Sequence, residues 1–561
     1  MRRKHWPRKA GLGLNLGLGG GGVAYLLNDS FLDTLAAGSV DGTAATPGPG
    51  TRTLQDSGPI VSVGSGIMTS SGAATAPTDP NRYWGSHARV AGKMLISKIR
   101  TDNNGVSTGP MLGWFTVSDP VSYVQNEGVT EFYLGNRFYY ANSDRVVNTA
   151  TLDTWYKHAL ILRSTGMFWL HRIDANNKWY LLWIENSGST ATLYPSLCAV
   201  NSGRHEASLD FIRIPTLLWT PKPLVADAFG GTWPTTDGGG LTGLEAGGAG
   251  ESWLNGNAPA ATTWSIDTGE AVNAPDVGTE KITNGTFASD IAGWTNAAGP
   301  ADYDTFEWAA GVLHVVTDGA ATAYGYSDDN IALVIGTWYR TDNDYTLTGG
   351  TAPTLTIRDA AAGTVRLTCQ NNAPSTFKSG ATENTVFQIA NTAAASEFTL
   401  DNITVKPLTL AQLMAVCDTT TDDPYIEATV TAAVGFQVGV ALCVDDETNP
   451  QNFILAYLNR NDNKVYVDKC VAGIYTNIFS GSVTPVDDKM LTVRKIGTSI
   501  YAWYNNVNVG SGTCSDAGIV SNTKHGMFQT GNGATETNIS DIKIYAVGSD
   551  GEYALLDMFC N

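Results

Sequence analysis

The sequence predicts an all-β chain assembled from two-sheet sandwiches, and three observations carry that prediction. The first is composition: 61 Gly, 15 Trp and 22 Tyr occur among 561 residues, and only 16% of the chain is charged. Helical proteins instead repeat Lys, Glu, Leu and Ala at a 3.6-residue period. The second is pattern. Short apolar runs are cut by Gly, Asn, Asp, Ser and Thr, and several alternate apolar with polar residues, as a strand with one wet face does. The third is repetition: the opening Asn28-Asp29-Ser30-Phe31 recurs as Ala226-Asp227-Ala228-Phe229, and Ser208-Leu209-Asp210-Phe211-Ile212-Arg213-Ile214 has a counterpart in Ile539-Ser540-Asp541-Ile542-Lys543-Ile544. One domain plan is used twice.

In chain order, residues 1–24 form a basic, Gly-rich arm. It carries Arg2, Arg3, Lys4, Arg8 and Lys9 ahead of a stretch nearly half glycine. A secretory signal needs a continuous apolar segment and a small-residue cleavage site. The stretch here holds Asn15 and no convincing A-x-A site follows it, so a cationic arm on a flexible tether is expected, suited to docking on an acidic partner. Residues 25–223 form the first sandwich, with strand-like runs at 92–99, 113–117, 131–134, 156–163, 168–173, 179–185 and 210–215. A second sandwich is split, 224–277 plus 408–547, with runs at 424–432, 438–444, 453–459, 464–469, 491–496 and 500–504. Residues 278–407 interrupt it as an inserted module, an arrangement tolerated where the host's loop ends lie close together. The tail 548–561 is apolar at Tyr553, Leu555, Leu556, Met558 and Phe559 and is expected to pack on a neighbouring subunit.

Charge and reactive residues exclude several functions. A formal net charge of −19 disfavours nucleic acid and anionic membranes as partners, and no run of 18 apolar residues spans a membrane. Seven cysteines stand far apart with no CxxC or Cys/His cluster, so neither a zinc site nor a dense disulfide framework is expected. The histidines at 5, 87, 158, 171, 205, 314 and 525 are scattered, and Gly64-Ser65-Gly66 and Gly510-Ser511-Gly512 lack the strand-to-helix context of a nucleophile elbow. Glycoside hydrolysis needs two carboxylates flanking the bond; no E-x-D-x-x-E strand is present, and Asp445-Asp446-Glu447 reads as a solvated loop. No catalytic residue is assigned, and the chain is expected not to be an enzyme.

The inserted module opens with Asn284-Gly285-Thr286-Phe287, reaches Gly293-Trp294 and closes with Leu400-Asp401-Asn402-Ile403-Thr404-Val405. These motifs resemble the β-jelly-roll carbohydrate-binding modules of secreted xylanases and cellulases, which also occur in bacteriophage tail and fibre proteins. By pattern and repeat, the flanking domains resemble concanavalin-like (laminin-G-like) sandwiches. The resemblance implies sugar binding, in which an aromatic face meets the C–H face of a pyranose. Tyr303, Trp308, Tyr324 and Tyr326, in or beside polar loop-like sequence, are the candidate platforms, whereas Trp294 is assigned to the core. It also implies a structural calcium held near Asn284, Thr286 and Asp401, although no acidic residue stands in the opening motif.

The function these expectations compose is a non-enzymatic virion protein: a fibre, tail-tip or head-decoration subunit. It would be anchored to other virion proteins through the arm and adhere to cell-surface polysaccharide through weak contacts multiplied by copy number. A homo-oligomer, trimeric by analogy with phage fibres, is part of that picture. A cement protein that binds no sugar, or an accessory part of a secreted glycan-active system, are the alternatives.

Overall fold

The computed structural model describes strand segments from residue 25 onward and, nearly continuously, residues 82–101, 110–117, 154–173, 178–199, 207–227, 263–296 and 303–549. The basic arm, residues 1–24, lies outside the described residues. The chain is nearly all β, and among the described residues every strand pairing is antiparallel. Among the described residues, no helix is long and apolar enough to cross a membrane. The chain divides into two compact units, residues 1–221 with 548–561, and residues 222–547.

The first unit is built on two sheets. One runs from Val61–Gly64 through Ala207–Pro215, Met94–Thr101, Tyr156–Leu162 and Met167–Ile173 to Trp179–Glu185. The other centres on Asn126–Phe132, Pro110–Phe115 and Tyr194–Ala199. Every residue of Tyr156–Leu162 is buried, and Trp114, Trp169, Trp179 and Trp183 are among the largest side chains fully removed from water. The chain's last segment belongs to this unit: Gly548–Ser549 pairs with Tyr180 and Trp179, and buried Tyr553 meets Trp219 edge to face at 6.2 Å. Of the tail expected to dock on another subunit, the described residues Gly548, Ser549, Tyr553 and Leu556 belong to this unit, and Tyr553 and Leu556 are buried in it.

The second unit holds a sandwich and a jelly roll. Sheet A of the sandwich orders Trp264–Asp267, Glu270–Asn273, Asn538–Ala546, Pro424–Thr431, Lys489–Ile496, Ser499–Tyr504 and Val507–Thr513. Sheet B orders Leu254–Asn255, Met414–Asp418, Lys524–Gln529, Gln437–Val444, Phe453–Asn459, Lys464–Val471 and Ile474–Ser482. Strands from both sides of the jelly roll therefore share both sheets. Their facing sides interlock through Ile426, Val440, Leu442, Ile454, Leu458, Val467, Val493 and Ile544, all within 1% of full burial.

The jelly roll has its own two sheets. Sheet C orders Trp294–Asn296, Ala323–Ser327, Glu383–Asn391, Thr354–Arg358 and Val365–Thr368; sheet D orders Thr305–Ala309, Val312–Thr317, Ser396–Pro407, Trp338–Gly349 and Ser375–Lys378. Phe287, Leu313, Val315, Ile357, Phe387, Phe398 and Leu400 fill the space between them. Its two ends leave the sandwich side by side: Val277 bridges Leu408, and the Gly278 N–H donates to Pro407 O at 2.8 Å. A module whose termini meet this closely adds little strain to its host.

Candidate functional site

The strands Phe453–Asn459 and Lys464–Val471 of sheet B alternate, and both of their faces are put to use. In Phe453–Asn459, Ile454, Ala456 and Leu458 enter the sandwich core, which leaves Phe453, Leu455, Tyr457 and Asn459 on the outer face. In Lys464–Val471, Val465 and Val467 point inward while Tyr466, Asp468 and Cys470 point out. Part of this outer face is sealed by a second apolar core. There Trp338 of the inserted segment and Leu408, the first residue after it, pack on Met414, Val416, Leu455, Tyr457 and Phe528. Beside that seal the sheet stays open and lines a cleft of about 620 Å³, whose far wall is the jelly-roll edge at Val365–Thr368 and Phe377–Gly380.

At the cleft's base, Lys378 of the jelly roll pairs with Asp468 of the sandwich. The Asp468 carboxylate, only 3% exposed, also accepts from the Tyr457 hydroxyl at 2.8 Å and from Asn477 Nδ2 at 2.8 Å. The Lys378 ammonium lies 4.2 Å from the Tyr475 ring centroid, with Trp338 and Tyr457 at 5.7 and 5.8 Å. A buried ion pair survives only when its desolvation is offset by such hydrogen bonds and ring faces. Nearby, the Thr376 N–H and hydroxyl both donate to Gly435 O, at 2.6 and 2.9 Å, fixing the two modules to each other.

Above that base the cleft becomes polar and aromatic. Tyr466 stacks on Tyr457 with centroids 5.6 Å apart and stays half-exposed, its hydroxyl donating to Asp462. Asn459 Oδ1 accepts from Gln437 Nε2 at 3.2 Å, and Asn461 Nδ2 donates to Thr376 O at 3.1 Å. Burial pushes the Tyr457 hydroxyl well above the usual phenol range, and neighbouring Asp468 pushes it further. Burial does the same to Tyr466, reinforced by its bond to Asp462. Both stay protonated at any working pH and act as fixed donors. Ring faces flanked by amides, hydroxyls and carboxylates suit a polyol with one apolar face.

The aromatics singled out in the sequence do not gather at this cleft. Tyr303 is only 3% exposed, stacks on Phe306 and donates its hydroxyl to Ile389 O at 3.2 Å. The expectation that it is a platform is corrected, because its ring belongs to the jelly-roll core and its polar atom is used there. Trp308 is 42% exposed, yet it shares the face of Phe306 and Leu313 and donates Nε1 to Phe287 O at 2.7 Å. It covers the open end of the core. Tyr324 and Tyr326 stand together, half-buried, on the outer face of sheet C. The four fall in three separate places.

The three residues expected to hold calcium turn to different partners. Asn284 directs its amide nitrogen to Asp290 O, Asp290 Oδ1 and Ala292 O, at 3.0, 2.9 and 3.1 Å. Thr286 is exposed. Asp401 accepts from the Asn402 N–H at 2.7 Å, and Asn402 Nδ2 bridges to Asp344 at 2.7 Å. The Asn284 amide thus sits among three oxygens, Asp290 O, Asp290 Oδ1 and Ala292 O. Among the described residues, no group of three or more His, Cys, Asp or Glu side chains could hold a metal. Cys369, Cys443, Cys470 and Cys514 are buried and free, and burial pushes the first three thiols up to about 12, far from reactive thiolates.

The cleft residues were not singled out from the sequence. The signal that could have found them is the run Lys464-Val465-Tyr466-Val467-Asp468, in which valines alternate with an aromatic and an acid. Such a strand has two buried faces or one face built for a ligand.

No family model matches the chain, and no curated protein does. Among solved structures, the carbohydrate-binding module CBM66 from Bacillus subtilis is similar at 14% identity, over 24% of this chain and 78% of that one, with a TM-score of 0.18. A β-1,3-glucanase from Mycobacterium marinum is similar at 14% identity, over 34% of this chain and 98% of that one, with a TM-score of 0.23. A glycosyl hydrolase family protein from Mycobacterium fortuitum aligns at 11% identity over 34% of this chain and all of that one, with a TM-score of 0.24. These neighbours are carbohydrate-binding and glucanase-like β-sandwiches, and none of the three is a virion protein. The expectation of a chain without enzymatic activity is corrected beside them, since glycoside hydrolases stand among its neighbours.

Proposed function

We propose that this chain is a glycan-binding β-protein whose ligand enters the cleft between sheet B and the jelly roll. The observation that carries the reading is the convergence in one cleft of the stacked Tyr457–Tyr466 pair with Asn459, Asn461, Asp462 and Asn477. A sugar ring laid on the half-exposed Tyr466 meets amides and a carboxylate at its edge, which is how apolar contact and hydroxyl recognition are combined. Adhesion to host-surface glycans from a virus particle is the finer form of this reading. It rests on the module resemblance and on the basic arm.

The test is binding of the purified chain to an array of bacterial and plant polysaccharides, with release of reducing ends measured on every glycan it captures. Capture of a defined glycan, weakened about tenfold by Tyr466→Ala, is expected. Silence across the array, or capture indifferent to Tyr466→Ala, overturns the assignment of this cleft.

A further inference from the structure

The contact between Lys378 and Asp468 differs from the other ion pairs of its unit. Lys469–Asp516, Lys524–Glu447 and Lys543–Asp541 join partly exposed side chains, whereas the Asp468 carboxylate is 3% exposed. The other buried lysine, Lys495, is fully bonded: it donates to Asp422 O at 2.6 Å and to Asp423 Oδ1 and Val520 O at 3.0 Å. Lys378 Nζ, among the described residues, bonds one oxygen, Asp468 Oδ2, and otherwise meets the rings of Tyr475, Trp338 and Tyr457. Its nitrogen is therefore held on a single carboxylate, with no second acceptor competing for it. The two oxygens of that carboxylate are treated differently. Oδ2 accepts from Lys378 and from the Tyr457 hydroxyl at 2.8 Å, and Oδ1 accepts from Asn477 Nδ2 at 2.8 Å. Strand register sets this up: Asn477 lies directly opposite Asp468, where the pairing shifts past Val467, and Tyr457 comes from the strand on the other side.

We propose that Lys378 and Asp468 condense into an intramolecular isopeptide bond that ties the jelly roll to the sandwich. One proton passes from the Lys378 ammonium to Asp468 Oδ2, and the freed lone pair on Nζ attacks Asp468 Cγ. As the Nζ–Cγ bond forms, the negative charge gathering on Oδ1 is held by Asn477 Nδ2, which acts as an oxyanion donor. A second proton leaves Nζ for Oδ2 through the Tyr457 hydroxyl, which accepts one proton, gives up its own and stays neutral. The Cγ–Oδ2 bond then breaks with its electron pair on oxygen, and one water departs into the open cleft that all four residues line. An ammonium and a carboxylate become one neutral secondary amide and one water, so atoms and charge balance with no further reactant. Two terms favour the product. Fixed contact between amine and carboxyl replaces an encounter in solution, and the amide removes two charges from a site where desolvating them is costly. The bond joins positions 90 residues apart and adds a covalent tie to those at Val277–Leu408 and Thr376–Gly435. It goes beyond the glycan-binding reading and stands whether or not a sugar enters the cleft.

The test is the intact mass of the folded full chain, freshly purified and after prolonged incubation at neutral pH, followed by tryptic mapping. The wild type is expected to be lighter than its sequence by one water and to yield a branched peptide joining Lys378 to Asp468, uncut after Lys378. Lys378→Arg keeps a cation on Asp468 and cannot form this amide, so it should fold, show the full sequence mass and unfold at lower urea. Asn477→Ala should slow the appearance of the cross-link about tenfold or more. A folded wild type that keeps its full mass after incubation overturns the proposal. So does a water loss that persists in Lys378→Arg or maps to any other pair of residues, as a cyclised aspartate would.

Discussion

The two faces of the Phe453–Asn459 and Lys464–Val471 strands differ in kind, although they are one residue apart in sequence. The inner face is Ile454, Ala456, Leu458, Val465 and Val467, all within 1% of full burial, and it does nothing but fill the sandwich. The outer face carries Tyr457, Tyr466, Asp468 and Cys470, partly roofed by Trp338 and Leu408 and partly open. A face that only packs can be apolar throughout. One that packs at one end and recognises at the other must combine rings, which serve both ends, with polar groups whose partners come from another module. That is why Asp468 is satisfied partly by Lys378, some 90 residues earlier in the chain.

Changes to each face should separate their roles. The largest loss of stability is expected from Asp468→Ala, which strands the Lys378 charge in a buried site and costs about 3–5 kcal/mol in urea unfolding. The pair Lys378→Met with Asp468→Leu should regain most of it; if the double variant is as weak as the single, the ion pair itself is stabilising. On the inner face, Ile454→Ala should cost about 3 kcal/mol by leaving a cavity and should not alter glycan affinity. A parallel fall in affinity would show that the two faces are not separable.

Acid should act through the one histidine on the inner side of sheet B. His525 is wholly buried, accepts from the Cys443 N–H at 2.9 Å through Nδ1, and donates from Nε2 to Thr421 O at 2.9 Å. Desolvation lowers its pKa from 6.5 to about 4, so the unfolded state binds the proton more readily. Its contribution is therefore full above pH 6.5 and falls away as pH drops toward 4, a loss of up to roughly 3 kcal/mol. Unfolding free energies of the wild type and His525→Gln, compared at pH 7.5, 5.5 and 4.5, should converge on acidification; a constant difference refutes the assignment. The smallest effect on stability belongs to Tyr466→Ala. It should cost about 1 kcal/mol or less, because the ring is half-exposed, while glycan affinity falls about tenfold.

Much of the fold was legible because strands announce themselves locally. Alternation in residues 453–459 and 464–469 marks strands whichever partners they find, and Gly and Asn punctuate them. Trp294 could be assigned to the core from its motif, and it stands 5% exposed against Phe287 at 5.3 Å. Tyr303 misled because it sits beside a polar stretch: polarity along the chain does not reveal that the ring turns inward to Phe306. The cleft escaped notice for a different reason. Its walls come from residues 365–380 and 457–477, and neither segment is a site alone.

Sequence by itself determined the all-β class, the strand positions and the aromatic and amide-rich chemistry, because period-two alternation and composition are local properties. Only the tertiary structure decided which rings became core and which became surface. It decided as well that Lys378 would meet Asp468, and that a jelly-roll edge would wall a cleft on the sandwich. Those outcomes depend on which distant segments share a desolvated space. Burial and charge pairing are set by three-dimensional neighbours, and spacing along the chain does not encode them.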